Sequence, residues 1–171
     1  MPIQLLKDLI IGVSEFGNQP IFVLFTILIT ALLLLHNKLT KDFLFLMLSS
    51  LSYPYSLILK EIFKIENPAR EGMAMYFEGD KYTFPSSHVV FYTVFFGYIF
   101  FLTYLRNSKL SKQSKITLQI LCLVMILFVG ASRILLGYHS VLDVAAGYVF
   151  GSLYLALIIV LSNLENGNKI G

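Results

Sequence analysis

The sequence predicts an all-α protein, a polytopic membrane bundle of about five transmembrane helices with an interfacial helix at its N-terminus. Hydrophobic residues make up 57% of the 171 residues and charged residues 13%. The mean hydropathy is +0.76. The apolar residues gather in stretches close to the ~20 residues that a helix needs to cross a bilayer. This composition is typical of integral membrane proteins and unlike that of soluble domains.

Residues 1–19 predict a helix that lies in the membrane interface. Apolar side chains recur there at helical spacing, while Lys7, Asp8 and Glu15 make the stretch too polar to cross a bilayer. A cleaved signal peptide is the alternative, but the stretch shows no small-residue cleavage site and no basic region before its apolar run. We therefore expect an amphipathic helix at the membrane surface.

Five apolar segments follow, each close to the length of a membrane span. The predicted spans are Pro20–Leu35, Phe43–Phe63, Val89–Leu105, Ile116–Leu136 and Val141–Leu161. One domain is expected, residues 1–171. The transmembrane bundle covers residues 20–161, and residues 162–171 are expected to form a cytoplasmic tail.

Two local patterns predict how individual spans bend and pack. Pro54 lacks the N–H that would bond to Ser50, so we expect a kink in the second span. Gly147 and Gly151, in the sequence GYVFG, form a small-xxx-small pattern on the last span. Such a pattern predicts the close approach of a neighbouring helix and needs no catalytic role.

The distribution of basic residues predicts the orientation of the bundle. Loop 36–41 carries two lysines, and loop 106–115 carries four basic residues and no acidic one. Both loops are cytoplasmic by the positive-inside rule. Loop 60–84 and turn 136–141 then share the extracytoplasmic face. The apolar segment 73–77 in the longer loop is expected to contact the interface, either as a lid or as an anchor.

The turn between the last two spans carries Ser132, Arg133, His139 and Asp143. Charged groups at membrane depth cost about 2.5–3.5 kcal/mol each, which makes them functional candidates. If Ser140 begins a helix, Asp143 shares a face with His139 and can fix the ring tautomer, as a nucleophilic or basic histidine requires. Arg133 offers a fork of donors suited to phosphate. The structural alternative is that Arg133 pairs with Asp143 and that His139 caps the helix.

A second polar group, residues 84–88 with the sequence FPSSH, opens the third span at the same face. Its proline suits a helix start, and Ser86 and Ser87 suit a cap whose free amides form an anion site. His88 follows at the same aqueous mouth. A serine cap with an incidental histidine is the plain alternative. Against it, the topology also brings Lys60 to this face without using the identity of any of these residues.

Charge and cysteine content exclude other classes of protein. The formal charge of +3 is small, and the basic residues are dispersed over short loops, so no nucleic-acid partner is expected. The single cysteine, Cys122, lies within an apolar span and offers no disulfide or metal cluster. No metal and no cofactor are expected, because carboxylates are sparse at the polar face and cations already lie where a metal would neutralise phosphate. The sequence does not determine the oligomeric state.

Taken in order, these residues resemble the type 2 phosphatidic acid phosphatase family of membrane enzymes. The family signature has a lysine separated by six residues from Arg-Pro, then Pro-Ser-Gly-His, then Ser-Arg followed by His-x-x-x-Asp. Its third part is matched in full by Ser132, Arg133, His139 and Asp143. Residues 85–88 match the second part, with Ser87 in place of glycine.

The first part of the signature departs from the family pattern. Lys60 is present, but Asn67 occupies the arginine position before Pro68. Arg70, three residues further on, is a candidate replacement for the missing guanidinium. The resemblance covers about residues 55–150, and the three parts occur in the order of the family with membrane spans between them.

The resemblance implies a lipid phosphatase that works through a phosphohistidine intermediate. His139 would attack phosphorus while Asp143 orients its ring. His88 would protonate the departing lipid oxygen and then activate water. The groups expected to bind the phosphoryl oxygens are Lys60, Arg133, Arg70 or Asn67, and the amides around Ser86 and Ser87.

The implied substrate is a lipid phosphate or diphosphate, with its head in the polar mouth and its tails among the helices and membrane lipids. Phosphatidic acid, phosphatidylglycerol phosphate, undecaprenyl diphosphate and lipid A phosphate stay open. We expect the cell (inner) membrane, with the active site on the extracytoplasmic face. The alternatives are a degenerate member that binds phospholipid without turnover and a small transporter component. A transporter favours ionisable groups near mid-membrane in corresponding halves, whereas here they gather at one face.

Overall fold

The computed structural model describes residues 40–66, 82–105 and 110–167, together with positions 8, 12, 27, 28 and 32. The helices and strands of this part of the chain are all helices, and besides turns it contains one isolated antiparallel bridge between Glu66 and Tyr82. We number the five helices in chain order. They are α1 Thr40–Ser50, α2 Ser52–Phe63, α3 Ser87–Leu105, α4 Lys112–Leu135 and α5 Val141–Gly167.

Four candidate membrane spans lie within the described residues. They are Lys41–Phe63, Ser87–Tyr104, Lys112–Leu135 and Val141–Glu165. Each is long and apolar enough to cross a bilayer, which confirms the predicted all-α membrane bundle. The predicted interfacial helix, the first predicted span and the apolar segment 73–77 lie outside the described residues, apart from five helical positions in the first two.

The second predicted span is interrupted at Leu51, where α1 ends and α2 begins. The Leu51 N–H donates to the Leu48 carbonyl at 3.1 Å, a tighter turn than that of an α-helix. Pro54 then lies in the first turn of α2, where backbone N–H groups have no carbonyl partner within the helix. The N–H that proline lacks therefore costs α2 no hydrogen bond. The predicted kink therefore takes the form of a one-residue break before the proline.

The last helix continues to Gly167, beyond the predicted end at Leu161. Two contacts hold this extra length against the bundle. The buried Ser162 hydroxyl lies 3.3 Å from the hydroxyl of Tyr98 on α3. Lys41, at the start of α1, forms an ion pair with the Glu165 carboxylate. The helical pattern therefore extends into the segment predicted as a tail, because tertiary contacts stabilise it.

Helix α3 is the centre of the bundle and packs against α1, α2, α4 and α5. Its side chains from Val89 to Phe96 are all buried, and large rings fill the space between helices. By contrast, α4 and α5 expose one apolar face along most of their length, as expected of helices that meet lipid. The polar residues of the predicted site lie at one end of this arrangement.

The glycine pattern on α5 packs against α3, as predicted for a small-xxx-small pair. A Cβ atom on Gly147 would stand 2.8 Å from the Cβ of Val89, and one on Gly151 would stand 2.9 Å from the Cβ of Thr93. Both distances are shorter than van der Waals contact, so a side chain at either glycine would force the helices apart. The close approach brings the start of α5 against the start of α3.

Replacing Gly147 with alanine is expected to lower the thermal midpoint of unfolding. The new Cβ would meet both Val89 and, at 3.1 Å, the carbonyl oxygen of Ser86. Overpacking of this kind costs about 1–3 kcal/mol. Gly12→Ala is the control, because nothing lies within 4 Å of its Cβ position. Equal midpoints for the two variants in detergent would contradict the close packing of α3 and α5.

Candidate active site

A tight turn joins α4 to the candidate residues that follow it. Gly137 has φ +73°, and its N–H donates to the Ile134 carbonyl at 3.0 Å. The Tyr138 N–H donates to the Arg133 carbonyl at 3.1 Å, which completes a Schellman motif. The His139 N–H also donates to the Arg133 carbonyl, at 3.2 Å. The backbone of the candidate histidine is thus fixed to that of the candidate arginine.

The start of α5 places Asp143 beside His139. The Ser140 hydroxyl accepts from the Asp143 N–H at 3.2 Å, and Asp143 Oδ2 accepts from the Ser140 N–H at 2.8 Å. This reciprocal capping box defines the helix start and makes Ser140 the cap, which argues against the alternative in which His139 caps the helix. The same Oδ2 atom lies 3.7 Å from Nδ1 of His139.

Both side chains of this pair are almost completely buried, with exposed fractions of 4% for His139 and 6% for Asp143. A separation of 3.7 Å is longer than a hydrogen bond and within the range of an ion pair. A carboxylate at this position stabilises an imidazolium and fixes the orientation of the ring. Because Asp143 Oδ2 lies beside Nδ1, Nε2 is the ring nitrogen that does not face this carboxylate.

The start of α3 is joined directly to the start of α5. The Ser86 N–H donates to the Asp143 carbonyl oxygen at 3.1 Å, and the Ser86 carbonyl accepts from the Val90 N–H at 3.0 Å. Ser86 therefore caps α3, and Ser87 and His88 occupy its first turn. His88 is half-buried. One hydrogen bond and two residues separate its backbone from that of Asp143.

The hydroxyl groups of Ser86 and Ser87 are buried and have no hydrogen-bond partner among the residues that the structure describes. A buried hydroxyl in this state costs about 1–3 kcal/mol, which a bound acceptor or donor would recover. The N–H groups in the first turn of a helix lack carbonyl partners within that helix. Together these groups form a site suited to an anion such as phosphate.

Lys60 reaches this end of the bundle from the last turn of α2 and is only 5% exposed. Phe63, one turn further on, lies 5.1 Å from the ring of Phe84 and 5.7 Å from that of Phe150. Phe84 precedes the α3 cap, and Phe150 lies on α5. This aromatic cluster therefore holds the end of α2, which carries the lysine, against the segment that precedes α3 and against the third turn of α5.

Arg133 lies in the last turn of α4 and is 3% exposed. Its Cζ atom stands 5.4 Å from the centroid of the Tyr138 ring. Tyr92, one turn after His88 on α3, is also buried. Sequence reasoning missed both tyrosines. The position of Tyr138 between the glycine of a tight turn and a candidate histidine was the available signal.

The structure thus brings Lys60, Ser86, Ser87, His88, Arg133, His139 and Asp143 to one end of the bundle. Asn67 and Arg70 lie outside the described residues. Within the described ranges, no three His, Cys, Asp or Glu side chains form a group that could hold a metal ion. The buried arrangement contains a histidine backed by a carboxylate, two cations and unpartnered hydroxyls.

This fold defines an integral membrane protein whose candidate residues lie at one end of the helical bundle. The chain belongs to the PAP2 superfamily, whose family model matches residues 21–166. Its fold is similar to the crystal structure of the first transmembrane PAP2-type phosphatidylglycerolphosphate phosphatase from Bacillus subtilis. The TM-score is 0.73 and the sequence identity 24%, over 97% of this chain and 78% of that chain. The resemblance drawn from the motifs is thereby confirmed.

Proposed function

We propose that this protein is a lipid phosphatase that hydrolyses a phosphomonoester or diphosphate of a membrane lipid through a phosphohistidine. Membership of the PAP2 superfamily supports a membrane phosphatase in general. The observation that carries the specific proposal is the buried pair of His139 and Asp143. The backbone carbonyl of Asp143 accepts a hydrogen bond from the Ser86 N–H, at the start of α3 where we expect phosphate to bind. A nucleophile oriented by a carboxylate beside an anion site is what transfer of a phosphoryl group requires.

In the first step, Nε2 of His139 attacks phosphorus and the bond from phosphorus to the lipid oxygen breaks. Asp143 keeps the ring oriented and balances the positive charge that develops on it. His88 donates a proton to the departing oxygen, so the lipid leaves as an alcohol, or as a monophosphate when the substrate is a diphosphate.

In the second step, water attacks the phosphohistidine and the bond between nitrogen and phosphorus breaks. His88, now neutral, accepts the proton of that water. Inorganic phosphate leaves, and His139 returns to its starting state. Both steps place negative charge on the same three phosphoryl oxygens, so one set of donors serves both.

The donors that we assign to these oxygens are Lys60, Arg133 and the start of α3 with Ser86 and Ser87. Buried positive charge acts strongly on a developing anion because little water screens it. Arg70 and Asn67 remain phosphate-binding candidates on the motif resemblance. In this proposal the reaction proceeds without a metal or a cofactor.

The proposed substrate is a lipid phosphate whose chains lie in the surrounding membrane lipids. The name of the similar Bacillus subtilis protein makes phosphatidylglycerol phosphate one candidate. Phosphatidic acid, undecaprenyl diphosphate and lipid A phosphate are the others. We place the protein in the cell (inner) membrane with its active site on the extracytoplasmic face. Loops 36–41 and 106–115 carry the excess of basic residues that is typical of cytoplasmic loops, and the candidate site lies at the opposite face.

The purified protein is expected to release inorganic phosphate from at least one of these four lipids in detergent, with equal rates in the presence and absence of EDTA. The physical reason is that Lys60 and Arg133 supply the positive charge that a metal would provide. Phosphate release, measured colorimetrically across the panel, checks both statements. Loss of activity on chelation would refute the metal-free mechanism. Binding of these lipids without any release would favour the degenerate member instead.

A further inference from the structure

Tyr138 directly precedes the candidate nucleophile His139 and follows the candidate phosphate-binding residue Arg133 by five positions. Its ring lies 5.4 Å from Cζ of Arg133. This distance is within the ~6 Å over which a guanidinium interacts favourably with an aromatic face. The arginine is 3% exposed and the tyrosine half-buried, so the contact is largely shielded from water. Shielding strengthens the attraction between a cation and a ring.

The backbone hydrogen bonds of the turn place residue 138 next to Arg133. The Tyr138 N–H donates to the carbonyl of Arg133 at 3.1 Å, as part of the Schellman turn around Gly137. The turn brings residue 138 back over the last turn of α4, directly beside Arg133. Any residue other than proline at position 138 can donate this backbone bond, so a substitution there can remove the ring beside the guanidinium and leave the turn in place.

An aromatic ring differs from other partners of an arginine because it occupies none of the five N–H donors. A carboxylate or carbonyl in the same place would accept one or two of them. A ring limits the positions that the guanidinium can adopt and leaves its N–H edge for phosphate oxygens. Tyr138 therefore orients the Arg133 guanidinium without accepting a hydrogen bond from its N–H groups.

We propose that Tyr138 is a positioning residue that holds the Arg133 guanidinium toward the phosphoryl group. This inference rests on the proposed function and adds a residue that the family signature does not include. The ring face carries the effect, and the hydroxyl is not required. Tyr138 acts on substrate binding through Arg133 and does not take part in proton transfer.

Tyr138→Leu removes the ring at similar size, and Tyr138→Phe keeps the ring without the hydroxyl. Loss of a shielded cation–π contact is expected to raise KM, and the concentration of orthovanadate that halves activity, by about 2- to 30-fold in Tyr138→Leu. The value of kcat is expected to change less than KM. Tyr138→Phe is expected to behave as the wild type in both measurements. Phe100→Leu, which removes a ring that stacks on Tyr104 at the other end of α3, is the matched control.

A double-mutant cycle shows whether the effect passes through the arginine. In an Arg133→Met background, Tyr138→Leu is expected to cause no further loss of orthovanadate affinity, measured by calorimetry so that no turnover is needed. An equal further loss in that background would overturn the inference, as would equal losses in Tyr138→Phe and Tyr138→Leu. If Tyr138→Leu is poorly folded, Tyr138→Met tests the same change, and wild-type affinity in that variant would refute the role of the ring.

Failure of this inference is distinguishable from failure of the proposed function. If the wild type releases phosphate and His139→Ala does not, while Tyr138→Leu matches the wild type, only the role of Tyr138 is wrong. If the wild type releases no phosphate from any lipid, the proposed function is wrong. Orthovanadate binding in the tyrosine variants then still shows whether the ring positions Arg133.

Discussion

His139→Ala is expected to reduce the rate of phosphate release by about 10⁴-fold or more, because no other group can take over a covalent intermediate. The wild-type imidazole is buried, with Nδ1 directed at a carboxylate 3.7 Å away. Alanine removes the atom that would bond to phosphorus and leaves the cations and the α3 start in place. Initial rates with a dioleoyl phosphatidate in detergent measure the effect.

Two controls make this result specific to the reaction. His36→Ala removes the one histidine of the sequence that is not a candidate site residue; it is predicted to lie in a cytoplasmic loop, and the variant is expected to retain full activity. Lipid binding by His139→Ala is expected to persist, since Lys60 and Arg133 are unchanged. Activity within about tenfold of the wild type in His139→Ala would eliminate the phosphohistidine mechanism.

Asp143→Asn is expected to lower kcat by about 10³- to 10⁴-fold while the protein remains folded. Substitution of the orienting carboxylate in a histidine-dependent site has an effect of this size, because the amide cannot balance an imidazolium. The asparagine oxygen can still accept the bond that the Ser140 N–H now donates to Asp143 at 2.8 Å. The cap of α5 should therefore survive the loss of charge. Steady-state rates and thermal midpoints measured on the same preparation test both parts.

Ser140→Ala is the matched variant for this prediction, because it removes the cap and retains the carboxylate. Loss of a serine N-cap costs about 1 kcal/mol, so its midpoint should fall while its kcat stays close to that of the wild type. The opposite pattern, with activity lost in Ser140→Ala and retained in Asp143→Asn, would show that Asp143 serves only as a cap.

The sequence predicts the helical bundle well because hydropathy and helix signals are local. The Pro54 break, the glycine pair on α5 and the start of that helix after Ser140 all follow from the chemistry of one or two residues. The meeting of the polar residues at one end was also predictable, because two spans, the third and the fourth, lie between loop 60–84 and turn 136–141 and return the chain to the same face. Topology needs only a count of spans.

The contacts between elements were not predictable, because they depend on rotation and depth of the helices. Nothing local indicates that the Ser86 N–H would donate to the Asp143 carbonyl. The Phe63 cluster likewise needs three separate elements to assemble. Continuation of α5 to Gly167 was missed because its cause, a pairing of Glu165 with a residue 124 positions away, has no local signal. Tyr138 was overlooked because a turn tyrosine has many other uses.

The pairing of Lys41 with Glu165 has a consequence for how the protein is made. The Lys41 ammonium group also donates to the Glu165 backbone carbonyl at 2.9 Å, so the beginning of α1 is fastened to the far end of α5. A ribosome supplies these two residues at very different times. Helix α1 therefore stands in the translocon or the lipid without this partner until residue 165 has been made, so the contact between the two helices forms only after all five described helices have been synthesised.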